Sequence, residues 1–206
     1  MKVLMINGSP RTGGNTAIAL KEMEAVFARN GIETVTLQIG SLPIRGCTAC
    51  GACGKLGHCV HDDDPVNEAS SLLKECDGLV IGTPVYYGSA NGTLVSFLDR
   101  LFQSSRFDKR MKVGACVCVA RRGGTTATFD ELNKYFTICG MPVASSQYWN
   151  NIHGGASGEA SQDGEGLQVM RALAENMSFL IKSIALGKEA YGLPELEPRI
   201  TTSFIR

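Results

Sequence analysis

The chain has 206 residues, enough for one domain with a sizeable core. Its 20 basic and 20 acidic side chains give zero formal net charge, so it offers no field of one sign to nucleic acid or to an anionic membrane. Hydrophobic residues at 44% exclude disorder and a fibre, and every apolar run falls far short of the roughly 18 residues of a membrane span. Residues 1–8 hold too short an apolar run for a signal peptide. The expectation is a soluble cytoplasmic protein with no nucleic-acid or membrane partner.

Residues 2–7 (KVLMIN) form a branched apolar run ending at Gly8, the pattern of a buried strand. From Thr16 to Arg29, Ala19, Met23 and Val26 recur at helical spacing, and Gly31 closes the helix. Residues 32–38 alternate like an outer strand. A cysteine-rich insertion loop then occupies 39–64, and loops that long are usually functional. Asp64-Pro65 reads as an N-cap followed by proline at the first helical position, with Val66, Ala69, Leu72, Leu73 and Cys76 as the inward stripe. Residues 77–83 make a third strand. Leu94, Phe97, Leu98, Leu101 and Phe102 then mark a strongly amphipathic helix. Residues 112–119 make a fourth strand, Phe129, Leu132 and Phe136 another helix, and 142–149 a fifth strand. A last helix runs from Leu167 to Ile184, and 187–206 reads as an irregular tail placed to pack on a neighbouring subunit. Five strands alternating with five helices imply one α/β domain over 1–206, a five-stranded parallel sheet with helices on both faces.

In such sheets ligands bind beyond the carboxyl ends of the strands, where strand order reverses. After the first strand, Gly8 to Thr16 (GSPRTGGNT) combines glycines, hydroxyls and a following helix N-terminus, a loop suited to a phosphate. The Lys-Ser/Thr of a triphosphate loop and the G-x-G-x-x-G fingerprint are both missing, which leaves a monophosphate or an unliganded glycine turn. After the third strand, Tyr86 and Tyr87 in Thr83 to Gly92 (TPVYYGSANG) offer flat surface for an aromatic ring, or simply cap the core. After the fourth, the backbone at Arg121-Arg122-Gly123-Gly124 can approach such a ring, and its arginines are otherwise solvated.

These three motifs together resemble the flavodoxin-like NAD(P)H-dependent FMN reductase superfamily, over about residues 1–150. The resemblance implies a flavodoxin-like fold and FMN. It places Ser9, Arg11, Thr12, Gly13, Gly14, Asn15 and Thr16 around the phosphate. Pro84, Val85, Tyr86, Tyr87 and Gly88 would lie along the isoalloxazine, with Arg121, Gly123 and Gly124 at its edge. It also implies a homodimer or tetramer with the flavin near a subunit interface.

Eight cysteines are too few for a disulfide scaffold, and four of them cluster as Cys47-x2-Cys50-x2-Cys53-x5-Cys59. Repeated two-residue spacers suit successive corners of a cubane, whereas structural zinc more often pairs two knuckles across a longer loop. A [4Fe–4S] cluster, zinc, and bare thiols or a labile disulfide all remain open from spacing alone. The spacing resembles the iron–sulfur flavoprotein branch of the same superfamily, which implies a [4Fe–4S] cluster on these four residues. His58 and His61 are possible imidazole ligands or solvated loop residues, and Asp62 to Asp64 read as helix-start charge. His153 either approaches a flavin from another subunit or is an ordinary surface histidine. Cys76, Cys116, Cys118 and Cys139 read as inert core.

The functional expectation is an FMN-dependent oxidoreductase that passes electrons between FMN and a [4Fe–4S] cluster, with no catalytic side chain of its own. NAD(P)H, ferredoxin or a quinone would be its donor or acceptor. Two rivals stand beside it: a cluster-free NAD(P)H-dependent FMN or quinone reductase, and a flavodoxin-fold carrier with a structural zinc loop.

Overall fold

In the computed structural model, which describes residues 1–205, the first apolar run is strand β1 (Lys2–Asn7), followed by helix α1 (Asn15–Arg29) and strand β2 (Glu33–Gln38). The cysteine loop contains one helical turn, α2 (Cys53–Leu56), and leads into α3 (Val66–Glu75). β3 (Gly78–Tyr86) runs past the expected end at Thr83 and turns back into the short β4 (Ser89–Ala90). α4 (Gly92–Ser104), β5 (Val113–Ala120) and α5 (Thr125–Thr137) follow. β6 (Asn151–His153), a 3-10 turn (Glu159–Gln162) and the long α6 (Gly164–Tyr191) complete the order.

The strands are arranged β2-β1-β3-β5-β6, every neighbouring pair parallel, with β4 antiparallel to the end of β3. This is the flavodoxin-like order, and winding reverses between β1 and β3, the switch point at which such sheets bind their ligand. Side chains alternate across the sheet, so both faces of a central strand must be apolar. Val3 and Met5 of β1 face α1 and α6, where they join Met23, Phe27, Leu173 and Met177. Leu4 and Ile6 point the other way, into a second core with Leu73, Phe97, Leu98 and Phe136 from α3, α4 and α5. The unbroken apolar run KVLMI is the consequence. No helix among the described residues is long and apolar enough to cross a membrane.

The expected fifth strand over 142–149 does not form as a unit. Pro142 O accepts from Gly114 N and Ala144 N donates to Gly114 O, both at 2.8 Å. Pro142 has no N–H, and Ser145, Gln147, Tyr148 and Trp149 are exposed, so the ladder breaks and resumes only where Asn151–His153 pairs with Cys118–Ala120. The polar stretch has no apolar face to bury, and Tyr148 packs edge-on against Trp149 instead. At the other end, α6 continues to Tyr191, into the segment expected to be irregular, because Lys188, Glu189 and Ala190 are good helix formers. Residues 192–205 carry no regular secondary structure.

Close packing between β5 and α5 leaves no room at Gly114, where an added Cβ would lie 2.5 Å from ring carbons of Phe136. Gly114→Ala is expected to cost about 1–3 kcal/mol through this overlap. A urea denaturation midpoint equal to that of the wild type would contradict the packing.

Candidate functional site

Two cavities carry the chemistry-bearing residues. The first lies at the carboxyl ends of β1, β3 and β5. Asn7 Oδ1 accepts from Ser9 N at 3.0 Å, and Ser9 Oγ accepts from Arg11 N at 3.2 Å, so the turn after β1 is closed by its own polar side chains. α1 then starts with no side-chain cap and no acid in its first turn among the described residues, leaving its positive end for an anion. Asn91 fixes this loop against the next. Its Nδ2 donates to Gly8 O at 2.7 Å, its backbone N donates to Thr83 Oγ1 at 3.1 Å, and its Oδ1 caps α4 by accepting from Thr93 N at 2.9 Å.

The β3–β4 hairpin projects Tyr86 and Tyr87 at the cavity mouth. Tyr87 (φ 52°) and Gly88 (φ 79°) both occupy the left-handed region, which makes a type I′ turn that is routine for glycine and uncommon for tyrosine. Tyr87 is fully exposed and Tyr86 about half exposed. Glu131 of α5 anchors the hairpin, accepting from Ser89 Oγ at 2.7 Å and Ala90 N at 3.0 Å. A Cβ at Gly124 would stand 2.9 Å from Gly88 Cα and from Val85 Cγ1, so the loops after β3 and β5 meet only because residue 124 is glycine.

The resulting cavity measures ≈ 270 Å³. Ser9, Arg11, Asn15 and Thr16, from the turn after β1 and the start of α1, line it together with Pro84, Val85, Tyr86 and Arg121. Thr12, Gly13, Gly14, Tyr87, Gly88, Gly123 and Gly124 are not in the lining; they shape the loops around it. Val119, Ala120, Gly154 and Gly155 do line it and were not anticipated. The signal for the last two was present in the glycine pair that follows β6. Asn15 explains their place, because its side chain donates to Ala156 O at 2.8 Å and accepts from Gly158 N at 2.9 Å and Ala160 N at 3.2 Å. Its amide is thus committed to holding the 154–160 loop over the cavity. Glu159 closes the same loop, and the N–H groups of Ala156 and Gly155 hold its carboxyl below the usual range. His153 lies outside this lining, beside Tyr148 and Asp163 in a separate cleft of ≈ 70 Å³.

The second cavity, ≈ 170 Å³, is lined by Cys47, Cys50, Cys53 and Cys59 together with Arg100 and Ser104 of α4. Left-handed backbone at Ala49 (φ 53°) and Gly51 (φ 70°) curls the loop along which the four cysteines border this cavity. Cys53 and Cys59 are buried and Cys47 and Cys50 exposed, all as free thiols. Arg100 is only 1% exposed. It donates from Nε and Nη2 to Cys59 Sγ at 3.4 and 3.3 Å, from Nη2 to His61 O at 3.0 Å, and from Nη1 to Arg45 O at 3.4 Å and to the Asp64 carboxylate. Burial opposes its charge, but the bonds to Asp64 and Cys59 outweigh it and hold the guanidinium above its ordinary value. Arg106 Nη2 stands 3.6 Å from Cys53 Sγ. Among the described residues, no three His, Cys, Asp or Glu side chains gather as tightly as one metal ion requires.

Asp64 therefore differs from its expected role. Pro65 holds the N-cap position of α3, while Asp64 accepts from Val66 N at 3.2 Å and neutralises Arg100 from the interior. Asp63 pairs with Arg45 at the surface, His61 lines the cysteine cavity and His58 faces an outer groove. Cys76, Cys116 and Cys118 are buried and Cys139 is partly covered. Burial pushes the Cys76 and Cys139 thiols up, and a hydrogen bond with Cys118 followed by burial pushes Cys116 far up, so these three stay protonated.

Residues 1–155 match the NADPH-dependent FMN reductase family. The chain belongs to that family. Within it, the chain is 34% identical over 196 residues to an iron–sulfur flavoprotein of Methanocaldococcus jannaschii, covering 89% of this chain and 99% of the relative. An iron–sulfur flavoprotein of Methanosarcina thermophila is 31% identical over 194 residues, covering 92% and 100%. The iron–sulfur flavoproteins are accordingly its branch of the family. Among solved structures, RosB with bound 8-demethyl-8-formylriboflavin-5'-phosphate superposes with a TM-score of 0.69 at 16% identity, covering 100% of this chain and 94% of its own, a likeness of fold.

As an FMN reductase family member the protein is a flavin-dependent oxidoreductase with FMN as its cofactor. Its cysteine loop depends on one buried ion pair, and removing one partner of such a pair leaves the other charge uncompensated. Arg100→Met is expected to destabilise the protein by about 3–5 kcal/mol and to make the loop the first site of limited proteolysis. An unchanged denaturation midpoint would show that Arg100 does not organise the loop.

Proposed function

We propose that the protein passes electrons between FMN, seated in the cavity beyond β1, β3 and β5, and a [4Fe–4S] cluster held by Cys47, Cys50, Cys53 and Cys59. The observation that carries this reading is that all four cysteines line one cavity. A cubane takes each thiolate on a different iron, which suits sulfurs spread around a cavity better than a single zinc ion does. When bound, the flavin supplies hydride or single-electron chemistry and the cluster accepts or returns one electron at a time.

The chain's own residues bind and position. Ser9, Arg11, Thr16 and the open first turn of α1 take the phosphate, in keeping with the polar lining they give the cavity. Pro84, Val85 and Tyr86 cover the ring, with Arg121 and the backbone of Gly154 and Gly155 at its margin. Thr12, Gly13, Gly14, Tyr87, Gly88, Gly123 and Gly124 set the loop shapes that make this possible. On the other side, Arg100 and Arg106 direct positive charge at Cys59 and Cys53, which offsets the negative charge of ligating thiolates. No general acid or base is needed. The exchange partner is NAD(P)H, a ferredoxin or a quinone reaching the open flavin edge beside Tyr86 and Tyr87.

A cytoplasmic setting agrees with eight free thiols. Self-association as a dimer or tetramer agrees with the exposed Phe179, Leu186 and Tyr191 of α6 and with Leu196, Ile200 and Phe204 beyond it.

Anaerobic purification followed by flavin, iron and acid-labile sulfide assays is expected to give one FMN with about four irons and four sulfides per chain. Flavin without iron would overturn the cluster and leave the cluster-free reductase; stoichiometric zinc without flavin would favour the carrier. Cys59→Ala is expected to retain FMN and lose most of the iron, because Cys59 is the thiol most firmly held. Its backbone N and O bond Asn67 at 3.0 Å each, and its sulfur accepts from Arg100.

A further inference from the structure

We infer that the Ser104 hydroxyl donates a hydrogen bond to a sulfur of the cluster proposed above and thereby raises its reduction potential; the inference rests on that reading. Gln103 and Ser104 lie three and four residues after Arg100 on α4, so they share one helix face with it, and that face lines the cysteine cavity. Ser104 is 2% exposed, and its Oγ has no hydrogen-bond partner among the described residues. A buried serine in a helix has an easy acceptor in the carbonyl four residues earlier. Buried Ser178 uses Ala174 O at 2.7 Å, and even the exposed Ser71 makes the same bond to Asn67 O at 3.1 Å. Ser104 has Arg100 O at the same offset and makes no such bond.

Buried donors in native proteins are almost always paired, so a hydroxyl left over in the wall of a thiol cavity calls for an acceptor inside it. The acceptors the cavity is built to hold are sulfurs, and the neighbouring donors already aim at sulfur: Arg100 at Cys59 and Arg106 at Cys53. Reduction adds one electron and one negative charge, and hydrogen bonds to sulfur strengthen as that charge grows, so the donor favours the reduced form. Ser104 is thus a positioning residue, acting through sulfur and never ligating iron.

The test is an anaerobic redox titration of the loaded protein, following the cluster by electron paramagnetic resonance, for wild type, Ser104→Ala and Ser104→Thr. Ser104→Ala is expected to bind iron and sulfide as the wild type does. Its reduced-to-oxidised ratio at a fixed ambient potential should fall about tenfold, a shift of about 59 mV for a one-electron couple. Ser104→Thr, which keeps the hydroxyl, should restore the wild-type ratio. As apoprotein, Ser104→Ala should melt no lower than wild type, since it gives up a donor that is unpartnered without the cluster. An unchanged ratio in an iron-replete Ser104→Ala protein overturns the inference alone. So does a folded Ser104→Ala protein that loses iron, which would make the serine an assembly residue. Absence of iron from the wild type overturns the cluster reading and the inference together.

Discussion

A guanidinium buried to 1% exposure must find its counter-charge and its acceptors inside the protein, and Arg100 finds them all on the cysteine loop. Four separate points of that loop converge on one side chain: the carbonyls of Arg45 and His61, the Cys59 sulfur and the Asp64 carboxylate. The loop has a single helical turn of its own, so its conformation is dictated largely from outside. An unpaired charge at this depth is too costly to tolerate, and the alternative loop conformations that would leave Arg100 unmatched are suppressed for that reason. The four cysteines border a common cavity because the cation does not let the loop go elsewhere.

The cavity beyond β1, β3 and β5 is organised by amides in place of a charge. Asn91 spends its carbonyl on the N-terminus of α4 and its NH₂ on the loop after β1, while Asn15 spends both ends on the 154–160 loop. Each joins elements that are far apart in sequence, and Ser9, Arg11, Thr16 and the uncapped start of α1 remain along the cavity. Rigidity comes from these satisfied side chains and from glycines at closest approach: Gly154 against Asn15, and Gly124 against Gly88. The cavity keeps the Arg11 side chain and the uncapped N-terminus of α1 beside it, while backbone and amide groups close the loops.

Much of this was legible in the sequence, for a physical reason. Strands buried on both faces write continuous apolar runs, amphipathic helices write a 3.6-residue period, and the loops at the switch point write glycine, hydroxyl and aromatic residues in short order. What escaped was long-range or conditional. Arg100 sits between Leu98 and Leu101 and reads as an outward position of α4, because its partner Asp64 lies 36 residues earlier. Asp64 itself carries an ordinary helix-start signal that hides a second role. Gly154 and Gly155 carry no ligand signal of their own, and only the distant Asn15 holds their loop over the cavity. The fifth strand failed as a unit because period alone does not show that Pro142 and the polar residues after it cannot keep a ladder.

α4 links the two cavities mechanically. Its cap, Asn91, grips the loop after β1, and its last turns present Arg100 and Ser104 to the thiols. Nine residues separate Asn91 from Arg100, which at roughly 1.5 Å per residue places these two anchor points about 14 Å apart along a single rigid rod. Leu94, Phe97, Leu98 and Leu101 bury the inner side of that rod in the core shared with β1 and β3. The spacing between the cavities is therefore fixed by a packed helix, while the exposed hairpin at Tyr87 stays outside this frame.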